Sequence, residues 1–301
     1  MQGKIKEILG RLGFSSVGFV GAADLELGDW FASWLERGYQ AGMGYMERNL
    51  ELRRRPLAIQ PGARSIICLA VPYKTAAPEG FTEPGRLISR YAWGRDYHEV
   101  IKKRLKPALA LLAQEFEGFE GRVFVDSAPL PEKILAQKAG LGFIGKNSLL
   151  IHPEWGSYVF LAEIVCNLEL ESSGPVDSAG CGDCGLCLDF CPNSAIKPQG
   201  MVDANLCISY LTIEHQGPFS STQAKATQGQ LFGCDRCQDC CPYNAQVPDQ
   251  PPDSPYAFAE KWRGLSFERV HSWTAAEFDQ LKITSPLKRA GLEGLKRNAG
   301  G

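Results

Sequence analysis

The sequence predicts a layered α/β (α+β) domain over residues 1–170, a compact cysteine-rich module over 171–250 and a helical tail packing on the core over 251–301. Three observations carry this reading. In the first part, apolar runs of strand length alternate with segments of helical periodicity. Nine of the eleven cysteines fall between residues 181 and 241. Small, polar segments broken by Pro and Gly, Glu171 to Gly180 and Val247 to Pro255, bracket that cysteine region.

Taken in order, Ile5, Ile8, Leu9 and Leu12 recur at helical spacing and predict a first amphipathic helix. Residues 1 to about 60 read as helical with short breaks. Within them Trp30, Phe31, Trp34 and Leu35 make one apolar stripe that ends near Gly38, before a glycine-rich turn at 42–46. Pro61-Gly62-Ala63 then introduces the apolar run Ser65 to Val71, a buried-strand candidate. A Pro- and Gly-rich loop (72–86) leads to helical periodicity over 96–117. Gly121 to Asp126 reads as a short strand ending at an acid, 131–139 as a helix closing at Gly140, and 157–166 as a third strand.

Composition is that of an ordinary globular protein, 44% hydrophobic and 22% charged. The net charge of −2 excludes a global nucleic-acid signature, so any basic surface must be local. No run approaches the roughly 20 apolar residues of a membrane span, and the first residues lack a secretory core. A cytoplasmic monomer without membrane contact is the expectation.

Clustered thiols in a reducing compartment point to metal or catalysis rather than disulfides. Cys68 and Cys166 lie in apolar runs and read as small core residues. Cys181-x2-Cys184-x2-Cys187-x3-Cys191-Pro192 has the bacterial 2[4Fe–4S] ferredoxin spacing, in which the fourth cysteine reaches the other cluster. Zinc is the alternative for Cys-x2-Cys pairs, but its sites usually need two such pairs rather than three cysteines in two-residue steps. The second set is Cys234-x2-Cys237-x2-Cys240-Cys241-Pro242, with Cys207 apart. Aligning the Cys-Pro pairs gives one cluster on Cys181, Cys184, Cys187 and Cys241, and another on Cys191, Cys207, Cys234 and Cys237. Cys240 is the alternative to Cys207, which an apolar stretch, Leu206-Cys207-Ile208, would place reliably. A bis-cluster module is a wire, and the chemistry is expected in the domain before it.

Several segments resemble the epoxyqueuosine reductase family. They are Val125-Asp126-Ser-Ala-Pro-Leu-Pro-Glu132, Ala139-Gly140-Leu141-Gly142-Phe143-Ile144-Gly145-Lys146-Asn147, Gly156-Ser157-Tyr158-Val159-Phe160, Tyr91 to His98 and Ile208 to Glu214. The similarity runs along nearly the whole chain and includes the remote cysteine. It implies a cobalamin-binding front domain and reduction of epoxyqueuosine to queuosine at the tRNA wobble position, the last step of that pathway. It also implies electrons passing from an external donor such as flavodoxin or ferredoxin through the clusters to base-off cobalamin. The Asp-x-His-x-x-Gly signature is missing, so no protein imidazole is expected from that route. Longer members carry a helical-repeat domain after the final Arg-Asn-Ala, so this sequence reads as a short or truncated form.

The resemblance assigns the proton donor to Asp126, for which an apolar cofactor cavity would raise the pKa; from the residues alone a cap or turn Asp is the plainer reading. It implies cofactor contacts from Arg53, Tyr97, His98, Asp126, Lys146, Asn147 and Ser157, with Gly140, Gly142 and Gly145 allowing close approach. His98 and His152 otherwise read as ordinary polar residues. For the tRNA anticodon stem-loop, cationic candidates are Arg53 to Arg55, the 102–106 run, Lys288-Arg289 and Lys296-Arg297, each by itself a solvated helix face. The rival readings are a reductive dehalogenase-like enzyme on small molecules, a ferredoxin-type electron carrier and a zinc module.

Overall fold

The computed structural model describes residues 1–25, 29–78 and 87–300. Residues 79–86 of the expected loop lie outside them. Helix α1 (Gln2–Arg11) stops where Gly13 turns the chain with φ +82°. Strand β1 (Ser16–Gly21) follows, then the short helices α2 (Trp30–Glu36) and α3 (Leu50–Arg54). Strand β2 (Ser65–Pro72), helix α4 (Tyr97–Glu115), strand β3 (Gly121–Phe124) and helix α5 (Glu132–Lys138) come next. The hairpin β4 (Phe143–Ile144) and β5 (Leu150–Ile151) precedes β6 (Val159–Cys166).

The main sheet has the order β1-β2-β6-β3, and every pair in it is antiparallel. The domain is therefore α+β rather than a parallel α/β sheet. Two expectations change. Residues 16–21 form an edge strand where the sequence reads as broken helix, because Gly18 and Gly21 blur a short apolar alternation. The glycine-rich segment after α5, for which the sequence predicts no strand, holds the β4–β5 hairpin.

Alternation along β2 separates the two faces. Ile67, Leu69 and Val71 pack with α1 and α4 around Ile5, Leu9, Ile101 and Leu105. Ile66, Cys68 and Ala70 face α5 with Phe124, Leu135, Ala136 and Val165. Cys68 and Cys166 are fully buried core residues. Glu163 shares the parity of Val165, so it points to the α5 face, between Cys68 on β2 and Phe124 on β3.

The cysteine region folds as short turns of helix, α6 (Leu186–Asp189), α7 (Ile208–Ile213), α8 (Ser221–Ala226) and α9 (Arg236–Asp239). The tail contributes α10 (Phe267–Ser272), α11 (Ala275–Leu281) and α12 (Gly291–Ala299). Its Trp262, Trp273, Phe278 and Leu295 close a separate core on Trp93 and Phe232. Among the described residues, no helix is long and apolar enough to cross a membrane.

Candidate active site and cluster pockets

The cysteines gather in two groups. Cys181, Cys184, Cys187 and Cys241 line one pocket of about 250 Å³ together with Lys146, Asn147 and Tyr243. Burial, and after it the thiols of Cys181, Cys241 and Cys184, push the Cys187 thiol above its ordinary value. In the second group burial and then Cys234 and Cys207 push Cys237 up, and Cys207 also feels Cys191. Helices α6 and α9, which carry Cys187 and Cys237, pack together. Crowded thiols resist ionising together unless a cation compensates them, which suits ligands of iron. Among the described residues no three His, Cys, Asp or Glu side chains converge as ligands of one ion. A cubane, with irons at separate corners, accepts more widely spaced thiolates. Cys240 stands by Cys187 and Cys241, and its Sγ lies 3.8 Å from the Cys237 carbonyl.

The second feature is an exposed acid on a constrained turn. Asp126 follows β3 with φ +44°, a left-handed conformation costly for a residue other than glycine. Its amide donates to Glu132 Oε1 at 2.6 Å, and Tyr97 Oη donates to its Oδ2 at 2.6 Å. His98 Nε2 lies 3.6 Å from the same oxygen. His98 Nδ1 is 2.7 Å from Asp96 Oδ1, and Lys288 Nζ is 2.6 Å from Asp96 Oδ2. Asp96 also caps α4 through the His98 amide. The ring of Tyr97 lies between Phe160 and His98, at centroid distances of 4.2 and 4.0 Å.

The electrostatics correct the expectation for Asp126. Burial among neighbouring groups pushes its carboxyl up, but hydrogen bonding to His98 and Tyr97 and the charges of His98 and Lys133 hold it below its ordinary value. The side chain remains 64% exposed, which limits desolvation. Partial burial pulls His98 down, yet its contacts with Asp126 and Asp96 outweigh this and raise it to about 9. At neutral pH the proton therefore rests on the imidazole and the carboxylate is ionised.

The predicted contacts divide. Arg53 stacks over Phe31 at 5.3 Å, and its buried Nε has no hydrogen-bond partner among the described residues. The charges of Asp126 and Glu132 act on it. Lys102 donates to Ser127 Oγ beside Asp126. Lys146, however, spends its Nζ on the carbonyls of Gly182 and Cys184 (2.8 and 2.9 Å) and its amide on Cys181 Sγ at 3.4 Å. Asn147 Nδ2 donates to the Cys237 carbonyl at 3.3 Å. Ser157 is buried, its hydroxyl bonded to Gln238 and Asn244. These three serve the cluster loops and their joint to β6. A side chain at Gly140, Gly142 or Gly145 would strike Gly174 O, Ile151 O or Ile151 Cδ1 at 2.5, 2.3 and 2.6 Å, so these glycines let the chain approach itself rather than a ligand. His152 is an ordinary polar residue bonded to Ser16 and stacked on Trp155. Arg104, Arg289 and Arg297 are tied into the fold through Gly13 O, the Glu214 carboxylate and the His215 carbonyl. Sequence reasoning passed over Glu163 as a site residue; the signal was one acid inside an otherwise apolar strand.

Residues 180–244 match a family model described as a 4Fe-4S double cluster binding domain, and residues 53–127 match one described as Epoxyqueuosine reductase QueG, DUF1730. An epoxyqueuosine reductase from Leadbetterella byssophila is 39% identical over 98% of this chain and 96% of its own. The chain belongs to the epoxyqueuosine reductase family. A second member, from Pseudomonas aeruginosa, is 39% identical over 98% of this chain and 82% of its own. The solved structure of the Streptococcus thermophilus member superposes with a TM-score of 0.86 at 31% identity, covering 99% of this chain and 80% of that one. Another epoxyqueuosine reductase, solved with an epoxyqueuosine-modified tRNA-Tyr stem loop, gives a TM-score of 0.89 at 28% identity over 99% and 79%.

Proposed function

We propose that this chain reduces epoxyqueuosine to queuosine in the anticodon loop of tRNA. One observation carries the reading: a chain that aligns with epoxyqueuosine reductases over almost its whole length also holds an exposed, ionised Asp126 against a protonated His98. In this reading Cys181, Cys184, Cys187 and Cys241 hold one [4Fe–4S] cluster, and Cys191, Cys207, Cys234 and Cys237 the other. The positions of Cys240 beside Cys187 and of Cys207 beside Cys191 support Cys207 as the ligand. Cobalamin fits the front domain at Arg53, Tyr97, His98 and Asp126, where a buried guanidinium nitrogen without a partner among the described residues lies near an exposed carboxylate.

When bound, the clusters and cobalamin supply electrons, which an external donor such as flavodoxin or ferredoxin delivers one at a time. The residues of this chain manage charge and protons. Removing an epoxide oxygen takes two electrons and two protons and releases water. His98 holds a proton at neutral pH, and Asp126, fixed by Tyr97, carries it toward the leaving oxygen. Arg53 and Lys102 offer cationic contacts for phosphate beside the acid. The domains fall near 1–170, 171–250 and 251–301, with the tail serving as the support of Trp93 and Phe232.

The test is to incubate tRNA bearing epoxyqueuosine with the anaerobically reconstituted protein, cobalamin and a low-potential reductant. Nucleoside mass analysis is expected to show loss of one oxygen; an unchanged nucleoside mass would refute the reading. Asp126→Asn is expected to keep cofactor and tRNA binding and lose about 100-fold or more in turnover.

A further inference from the structure

Glu163 is fully buried in the middle of β6; no donor group among the described residues serves its carboxyl oxygens, and its hydrogen-bonding neighbour is the carboxyl of Glu132. A charge in such a place is costly. The side chain faces α5, whose first residue, Glu132, is its electrostatic neighbour. Glu132 in turn accepts the Asp126 amide. Three carboxyls thus run from the sheet interior to the exposed acid. Among the described residues the cations near this run, Lys133, Arg53 and His98, act on Asp126 and Glu132. The groups around the pair are Cys68 from β2, Tyr97 and His98 from α4, Lys133 from α5, Arg53 from α3 and Asp126.

We propose that Glu132 and Glu163 form a protonated carboxyl pair that stores the second proton of the reaction and delivers it, through Glu132, to Asp126. The inference rests on the function proposed above. Both C–O bonds of the epoxide break, a C=C bond forms, and the oxygen leaves as water. The two electrons come singly from the iron–sulfur clusters, one proton from His98 by way of Asp126, and the other from Glu132. Glu163 then returns a proton to Glu132, and solvent refills the pair at the exposed Asp126. A fully buried carboxyl against a half-buried one, with no cation between them, disfavours ionisation of both together. Burial, with the charge of Asp126 next in size, raises Glu132 to about 8, and burial followed by Glu132 raises Glu163 well above the ordinary carboxyl value. Glu132 accepts the Asp126 backbone amide and so holds the left-handed turn that carries the delivering acid, which keeps the two side chains neighbours.

Glu163→Gln and Glu132→Gln preserve volume and hydrogen bonding but carry no transferable proton. In the cluster-loaded protein, infrared spectra at pH 7 are expected to contain a protonated carboxylic-acid C=O band that shifts in D2O and is lost or reduced in Glu163→Gln. In turnover of epoxyqueuosine tRNA, each variant is expected to lose about 10-fold to 100-fold at pH 8, with the alkaline limb displaced to lower pH. A merely structural role would leave the limb in place, since glutamine restores the packing. A missing infrared band, or pH profiles that superimpose on the wild type, would overturn the proposal. Wild-type protein that shows the band but reduces no epoxyqueuosine would overturn the functional reading and the delivery step, leaving the protonated pair itself established.

Discussion

His98 provides the sharpest test of the electrostatics. Its imidazole is raised from the ordinary 6.5 to about 9 by Asp126 and Asp96, which corresponds to about 3 kcal/mol of preference for the charged form. The side chain is 32% exposed, and solvent screening reduces the figure to about 2 kcal/mol. Asp96 argues for the lower value. Burial pushes it up, yet bonds from His98 and Lys288 hold it at about 2 against an ordinary 3.8, and Lys288 accounts for part of that. Because the folded value lies above the unfolded one, the stabilisation is fully present below pH 6.5 and is lost as pH rises through 9. Unfolding free energies from urea titration of cluster-loaded wild type and His98→Gln should therefore differ by about 2 kcal/mol more at pH 6 than at pH 9.5. Comparing the two proteins at each pH removes the titrating groups that do not interact with His98. A difference independent of pH would refute the assignment of the proton to His98.

Further outcomes follow from the same geometry. Cys241→Ala and Cys207→Ala should each lower iron from about eight to about four atoms per chain, while Cys240→Ala keeps about eight, all read by iron analysis. Gly18→Ala would put a Cβ 1.9 Å from the Ala139 carbonyl; the strand cannot absorb this, and a loss of about 3 kcal/mol is expected in urea unfolding. Trp93→Ala empties the center of the tail core and should cost about 3–5 kcal/mol in the same measurement.

Much of this was legible in the residues. Ser65 to Val71, the 96–117 periodicity and the Cys-Pro alignment each describe a local pattern, and local patterns survive folding. β1 was not legible, because a six-residue strand with two glycines carries little alternation. Nor was the antiparallel order, which depends on pairing between distant segments. Lys146 and Asn147 show a different limit. Their place next to flexible glycines suggested a ligand cradle, but hydrogen bonds over 36 and 90 residues of chain decided their use. Asp126 is the candidate acid through the family resemblance, while the groups that set its charge, His98 and Tyr97, stand 28 and 29 residues away.

The neighbouring residues Lys146 and Asn147 touch both cysteine loops, one at Gly182 and Cys184, the other at Cys237. A single tight bend of the front domain therefore sets where the redox relay stands. Swinging the relay away would break all of these bonds together, as well as the Ser157–Asn244 joint. The cysteine module is seated on the front domain by these bonds, so transplanting a foreign ferredoxin module onto this scaffold would have to carry the bend with it.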